Sequence, residues 1–160
     1  MINQDSGPDR ALVLADGLGP AVVALVHREA LRVLRASIDT AHIDAYSDDA
    51  WPSAVVRSYE RVLSLARAAV ADGTRPGRAD PGMGIDIDVR DDEQFEMLLD
   101  LVPHTIHAEG RRADRLVFAA SDSGTSLWIA VTQEQQAELL SRLAVHGIPP
   151  TVLTVWHRDR

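Results

Sequence analysis

The chain of 160 residues is 46% hydrophobic and carries a formal net charge of −8. It is long enough for one domain or two small ones, and apolar enough to bury a core, which excludes global disorder. All 16 basic residues are arginine and there is no cysteine, so thiol nucleophiles, disulfides, iron–sulfur clusters, lysine Schiff bases and the usual phosphate-loop lysine are excluded.

The negative net charge indicates which partners to expect, and the first residues indicate the location. Nonspecific nucleic-acid binding uses basic side chains to neutralise phosphates, and anionic lipid repels an acidic surface. We therefore expect no nucleic-acid or membrane partner, whereas a basic protein would suit this charge. The opening residues MINQDSGPDR place acids and proline before any apolar segment, which does not fit a secretory signal, so we expect a cytoplasmic protein.

The first half of the chain is predicted to be mainly helical. Residues 1–10 indicate a flexible tail, and residues 11–72 a helical region. Pro20 stands where the first turn of a helix tolerates proline, and apolar residues then recur at helical spacing. The segment ALVLADG before it fits either a short helix or a strand.

A second helix is predicted after a polar connection at residues 37–49. It begins near Pro52, carries an apolar stripe from Val55 to Val70, and ends near Gly73. Residues 73–84 are rich in glycine and proline, and predict a linker to a second domain at residues 85–160.

That second domain alternates strands and helices. The segment IDIDVR after Gly84 alternates apolar and polar residues, as in a half-buried strand. Asp91 begins a helix, with Gln94 placed as in a capping box, and Pro103 ends it. Residues 104–109 indicate a possible extra edge strand.

The last part of the chain predicts three further strands and one helix. RLVFAA and SLWIAVT are apolar on both faces, and SDSG between them is typical of a hairpin turn, with Gly124 free to take a positive φ. Thr132 and Gln135 form a second capping box before a helix that Gly147 closes. TVLTVW is the final strand.

The order strand, helix, strand, strand, helix, strand resembles the ferredoxin-like arrangement. We therefore expect an α+β protein with a ferredoxin-like βαββαβ sandwich after the helical region. Such a sheet, with helices on one side, leaves its other face open. We expect that face to carry Asp86, Asp88 and Trp128, a combination that indicates a cover or a ligand.

Three covers are considered for this open face. The N-terminal helices are the favoured one, because exposed apolar faces are normally buried. Their Arg28, Arg32 and Arg35 form a stripe at helical spacing. A second subunit and an outside partner are the alternatives. These three arginines, with Asp86, Asp88 and Trp128, are the candidate binding surface.

Two sets of residues have metal-ligating chemistry. Asp86 and Asp88 offer neighbouring carboxylates to a hard cation, but the polar face of a strand also explains them, and we favour that structural interpretation. In PHTIHAE, His104 and His107 share a face on a helix, whereas His107 and Glu109 share one on a strand. Either pair fits a metal site or an acid–base pair, although the spacing fixes no geometry.

The sequence favours a non-catalytic protein-binding module over an enzyme, because it shows no strong catalytic constellation and its charge suits a basic partner. We expect a regulator, an inhibitor or an immunity-type neutraliser of such a partner, without a cofactor. One alternative is a small metal-dependent enzyme or ligand sensor that uses the acidic and histidine residues above. The other is a structural homodimer through the sheet face.

Overall fold

One seven-stranded antiparallel sheet organises the computed structural model, which describes residues 10–46, 50–77 and 80–157. The strands run β3-β2-β4-β5-β6-β1-β7 across the sheet, so the chain crosses it repeatedly instead of forming a simple meander. In chain order they are β1 Arg10–Leu14, β2 Thr40–Asp44, β3 Ile85–Ile87, β4 His107–Arg112, β5 Arg115–Ser121, β6 Ser126–Val131 and β7 Leu153–Val155.

The α-helices of the described residues are α1 Pro20–Leu34, α2 Val56–Ala71, α3 Asp92–Leu101 and α4 Gln133–Val145. Their ends follow the predicted signals. The Thr132–Gln135 capping box before α4 is confirmed in full. At α3 half of the predicted box forms, because Asp91 accepts the Gln94 N–H but the Gln94 side chain accepts from the Asp88 N–H instead. Pro103 lies in a 3₁₀ turn that ends α3.

The core lies between the helices and one face of the sheet. Cross-strand register aligns Ile43, Ala108, Ala120 and Leu127 on that face, and all four are buried. The apolar stripes of the helices pack onto it, since their buried residues belong to the same cluster. These helix residues include Val26, Leu31, Val62, Phe95, Leu99, Leu139 and Leu143.

The prediction of an α+β protein is confirmed, but the ferredoxin-like topology is not. The sheet has seven strands in a different order. Two of them, apart from Arg10 at the start of β1, come from residues 11–72, the region predicted to be mainly helical: β1 inserts between β6 and β7, and β2 inserts between β3 and β4. Most of β1 lies in ALVLADG, which the sequence left open between a short helix and a strand, whereas β2 lies in the segment interpreted as a polar connection.

The strand predicted at residues 104–109 is β4, which begins later, at His107. It is not an edge strand, because β2 pairs with one side of it and β5 with the other. The prediction had no partner for this outer side, since β2 was interpreted as part of a polar connection.

Residues 73–84, predicted to be a linker, run from the end of α2 to the start of β3, and their described part makes specific contacts. The Arg75 guanidinium donates to the carbonyl oxygens of Gly84, at 3.2 Å, and Pro81, at 3.3 Å, and also to that of Met83. The Ala45 N–H donates to the Gly82 carbonyl. The tail predicted at residues 1–10 lies outside the described residues, except Arg10, which begins β1. None of the described helices is both long and apolar enough to cross a bilayer.

Candidate functional site

The face of the sheet opposite the core is the candidate site. Its residues alternate with the buried ones along each strand, and most are half-exposed or exposed, whereas the described helices contribute to the core on the other side. We call it the open face. One row across it, from β3 to β7, is Asp86, His42, Glu109, Ala119, Trp128, Val13 and Thr154.

The half of the open face on β3, β2 and β4 is polar and centres on Glu109. The Nε2 atom of His107 lies 2.9 Å from Glu109 Oε1, and the Arg111 Nε–H donates to Oε2 at 3.2 Å. His42 lies directly opposite Glu109 in the β2–β4 register, with its Nε2 atom 3.8 Å from Oε2. These four residues form what we call the Glu109 cluster.

The Glu109 carboxylate is held in its ionised form. Burial of this side chain, which is 19% exposed, raises its pKa, but hydrogen bonds from His107 and Arg111 and the nearby His42 outweigh that effect. The resulting pKa of Glu109 lies below its ordinary value. A carboxylate that is ionised, partly buried and faced by two imidazoles can bind a proton, a cation or a cationic partner group.

The two histidine rings lie close together, and the neighbouring strand β5 holds the His107 ring. The Nδ1 atom of His107 lies 3.2 Å from the Ser121 Oγ atom, on the adjacent strand β5, so the ring is held between that hydroxyl and Glu109. The ring centroids of His42 and His107 are 5.9 Å apart. One ligating atom from each of His42, His107 and Glu109 can be chosen so that all lie within 4.8 Å of one another.

The other half of the open face, on β6, β1 and the end of β7, is aromatic. The Trp128 and Trp156 rings meet edge to face, with centroids 6.4 Å apart and planes at 84°. Trp156 is 44% exposed, and its backbone N–H donates to the Ala11 carbonyl, which fixes the chain just after β7. Edge-to-face packing is a favourable geometry for two aromatic rings, and it leaves part of both available to a partner.

The two predicted aspartates occupy different positions. Asp86 is exposed on the edge strand β3, directly opposite His42. Asp88 follows the strand and closes a turn: its Oδ1 accepts the Arg90 N–H at 3.0 Å, and its own N–H donates to the Gln94 side chain. The three-ligand group found among the described residues includes neither aspartate.

The arginine stripe of α1 does not cover the open face. Arg28 donates to the Leu99 carbonyl on α3 at 3.0 Å. Arg35 donates to the Val89 carbonyl at 2.7 Å, and its guanidinium carbon lies 4.3 Å from the Phe95 ring centroid. These contacts join α1 and the turn after it to α3 and to the segment before α3, on the core side, so the proposed cover by N-terminal helices is corrected. Arg32 pairs with Glu29 of its own helix.

His104 is separated from the other predicted ligands. It lies in the 3₁₀ turn after α3 and is half-buried, and burial together with the Arg28 charge lowers its pKa. Its electrostatic neighbour is His27, a buried residue of α1 whose Nδ1 atom lies 2.7 Å from the Val23 carbonyl. Both are histidines of the helix layer.

The sequence interpretation did not include His42 among the candidate ligands. The available signal was the alternation in TAHID, where Ala41 and Ile43 are buried while His42 and Asp44 are half-exposed. It also missed Glu29, a buried carboxylate on α1 that accepts from Arg32 and from Arg142 of α4.

No protein-family model matches the chain, and no curated protein or solved structure matches it either. Function therefore has to be inferred from the geometry of the open face.

Proposed function

We propose that this chain is a non-catalytic protein-binding module, which recognises a basic protein partner through the open face of its sheet. The observation that carries the proposal is the pair of Trp128 and Trp156, packed edge to face and partly exposed on a surface that lies opposite the helices. The biological role that suits such a module is that of a regulator, an inhibitor or an immunity-type neutraliser.

Tryptophan is enriched among the residues that dominate protein interfaces, because a large rigid ring buries much apolar area at little entropic cost. A single exposed ring would need no explanation, but two rings in contact make a continuous apolar patch. Val13 lies opposite Trp128 in the β1–β6 register and extends this patch along the sheet.

The charge of the chain and of this face favours a basic partner. The net charge is −8, and the polar half of the face carries Asp44, Asp86 and Glu109 beside the aromatic half. Acidic groups that border an apolar patch steer a basic partner toward it and select its orientation. Arg111 lies among these acids, but it is paired to Glu109.

The shape of the face also suits a protein. Two cavities of the described residues, of about 460 and 310 Å³, lie beside Arg35, in the 3₁₀ turn after α1, and beside Ala66 on α2. The larger cavity has no lining residue in the row across the open face, and the smaller one meets that row only at Asp86. The open face offers an exposed surface for another protein, whereas small molecules are usually held in concave pockets.

The experiment compares three versions of the tagged, purified chain in affinity capture: wild type, the double variant Trp128→Ala/Trp156→Ala, and Val145→Ala as control. Val145 is 83% exposed on α4, in the helix layer, so it matches the loss of an exposed apolar side chain elsewhere. A captured basic protein is then purified and titrated against all three. We expect the double variant to lose about 2 kcal/mol of binding free energy, roughly thirtyfold in Kd.

Equal binding by the double variant would contradict this use of the face. So would binding that does not weaken as salt is raised, because steering between opposite charges is screened. Sedimentation of the wild type alone tests the homodimer alternative: a dimer that the tryptophan substitutions dissociate would assign the face to self-association.

A further inference from the structure

The three histidine and carboxylate ligands of the Glu109 cluster come from two paired interior strands. His42 on β2 lies directly opposite Glu109 on β4, and His107 precedes Glu109 by two residues, so its side chain lies on the same face. β3 and β5 flank this pair of strands. Ligands on paired strands are held more rigidly than ligands on loops, so little ordering is needed for binding.

The spacing of these groups fits one ion. In a tetrahedral site with metal–ligand bonds of about 2.1 Å, neighbouring ligand atoms lie about 3.4 Å apart. The contacts of the Glu109 carboxylate bracket that value, at 2.9 Å from Oε1 to His107 Nε2 and 3.8 Å from Oε2 to His42 Nε2. One ligating atom from each of the three residues can be chosen so that all lie within 4.8 Å of one another. Small rotations of these side chains would therefore bring all three ligands around a common centre.

The neighbours of the cluster orient it as the outer partners of a metal site do. A histidine ligand usually engages its second ring nitrogen with another polar group, which sets the ring orientation. His107 does this through Nδ1, 3.2 Å from the Ser121 hydroxyl oxygen, while its Nε2 faces Glu109. Arg111 instead competes with an ion for the same carboxylate, because its Nε–H donates to Oε2 and its charge opposes a cation there.

We propose that His42, His107 and Glu109 bind a divalent transition-metal ion of the Zn²⁺ class on the open face of the sheet. Two imidazoles and one carboxylate suit zinc, cobalt or nickel, whereas magnesium and calcium prefer oxygen ligands. Three protein ligands leave one coordination position for water or for a group from outside the chain. This site stands independently of the protein-binding role, because it follows from the ligand geometry alone.

The test uses the full chain after chelator treatment, titrated with Zn²⁺ by calorimetry and with Co²⁺, whose visible absorption reports its coordination. We expect wild type to bind one ion per chain saturably. His42→Ala should weaken binding by at least roughly 100-fold, since losing a direct ligand costs more than the ~10–100-fold that follows loss of an outer partner. His157→Ala, which removes an exposed histidine outside the cluster, should bind as wild type does.

A second variant tests the position of the ion. Arg111 places a positive charge against the carboxylate, so Arg111→Gln should tighten metal binding. His42→Gln replaces His42→Ala if the alanine variant does not fold, which thermal melts in chelator will show. The proposal is overturned if Zn²⁺ does not bind saturably, if His42→Ala and wild type bind alike, if His157→Ala loses the ion, or if Arg111→Gln fails to tighten binding.

The docking proposal and the metal proposal can fail separately. The Trp128→Ala/Trp156→Ala variant keeps every residue of the Glu109 cluster, so it should bind the ion as wild type does. Loss of the ion in that variant would contradict a site built by the polar half of the face alone.

Discussion

Glu29 and Glu109 are two partly buried carboxylates with the same types of partner but different positions in the fold. Glu29 is contacted by Arg32 at 2.7 Å, Arg142 at 2.5 Å and, more distantly, the His146 ring at 3.9 Å. Glu109 is contacted by one arginine and two histidines, at 2.9 to 3.8 Å. Each carboxylate thus has three cationic or imidazole neighbours.

The two carboxylates differ in the groups that contact their oxygens and in how far their side chains are exposed. At Glu29 each oxygen is taken by an arginine, which cannot ligate a metal, and the pairing joins α1 to α4. At Glu109 each oxygen faces an imidazole nitrogen that can ligate. The side chain of Glu29 is 6% exposed, against 19% for Glu109. The first carboxylate therefore holds helices together, while the second can bind what approaches the sheet.

The largest expected effect on stability is that of Glu29→Gln. It removes the charge from two charge-assisted hydrogen bonds at a buried position, and each such bond contributes about 1.5–3 kcal/mol, but both arginines can turn to solvent. We expect the free energy of unfolding to fall by about 2 kcal/mol, measured by urea denaturation with an unchanged slope.

Glu138→Gln is the matched control, because Glu138 is exposed on the same helix as Arg142 and should change stability by less than about 0.5 kcal/mol. If both variants lost the same free energy of unfolding, the loss would come from the change in net charge and not from the pairing of Glu29 with its arginines.

Acidification should remove the contribution of the ionised Glu29 carboxylate to the free energy of unfolding. Burial raises the pKa of Glu29, but its bonds to Arg142 and Arg32 outweigh this, so its folded pKa lies below the ordinary 4.5. A lowered carboxylate pKa stabilises the fold above the unfolded value, and the stabilisation disappears as pH falls through the folded pKa.

The difference in unfolding free energy between wild type and Glu29→Gln should thus be constant from pH 7 to about pH 5, and shrink below 4.5. His27, whose pKa burial lowers, also destabilises the fold in acid, but it is present in both proteins and cancels in the difference. A difference that stays constant down to pH 3 would contradict the carboxylate as its source.

The elements that the sequence predicted well are those whose signals are local. α2, α3 and α4 each carry an apolar stripe with a start or stop signal within a few residues, and the turn at Gly124 takes the expected positive φ of 90°. Helix caps and turns depend on neighbouring residues, so one sequence suffices to find them.

The missed elements depend on partners far along the chain. The strand β2 pairs with β3 and β4, which begin at residues 85 and 107, and only those pairings make Thr40–Asp44 a strand. For the same reason the alternation of β4 could group His107 with Glu109, but could not add His42. His42 joins the Glu109 cluster only through the register between β2 and β4, and a local sequence pattern does not indicate how two strands are aligned.

The effect of Glu109→Gln should be about half that of Glu29→Gln. Its side chain is more exposed, so water replaces part of the lost pairing, and we expect a loss of about 1 kcal/mol in chelator. With Zn²⁺ present the gap between wild type and this variant should widen, because a ligand that binds only the folded state raises its stability. A variant that gains as much stability from Zn²⁺ as wild type would remove the distinction between the two carboxylates.

The smallest effect should come from Asp86→Asn. Asp86 lies opposite His42 but is exposed on an edge strand, where water screens its charge, so stability should change by less than about 0.5 kcal/mol. The comparison with Glu109 makes this small value informative, since both acids lie opposite His42, on the two strands that flank β2. If urea denaturation shows a loss as large as that of Glu109→Gln, the contacts of His42 would extend to β3, and the Glu109 cluster would have to include Asp86.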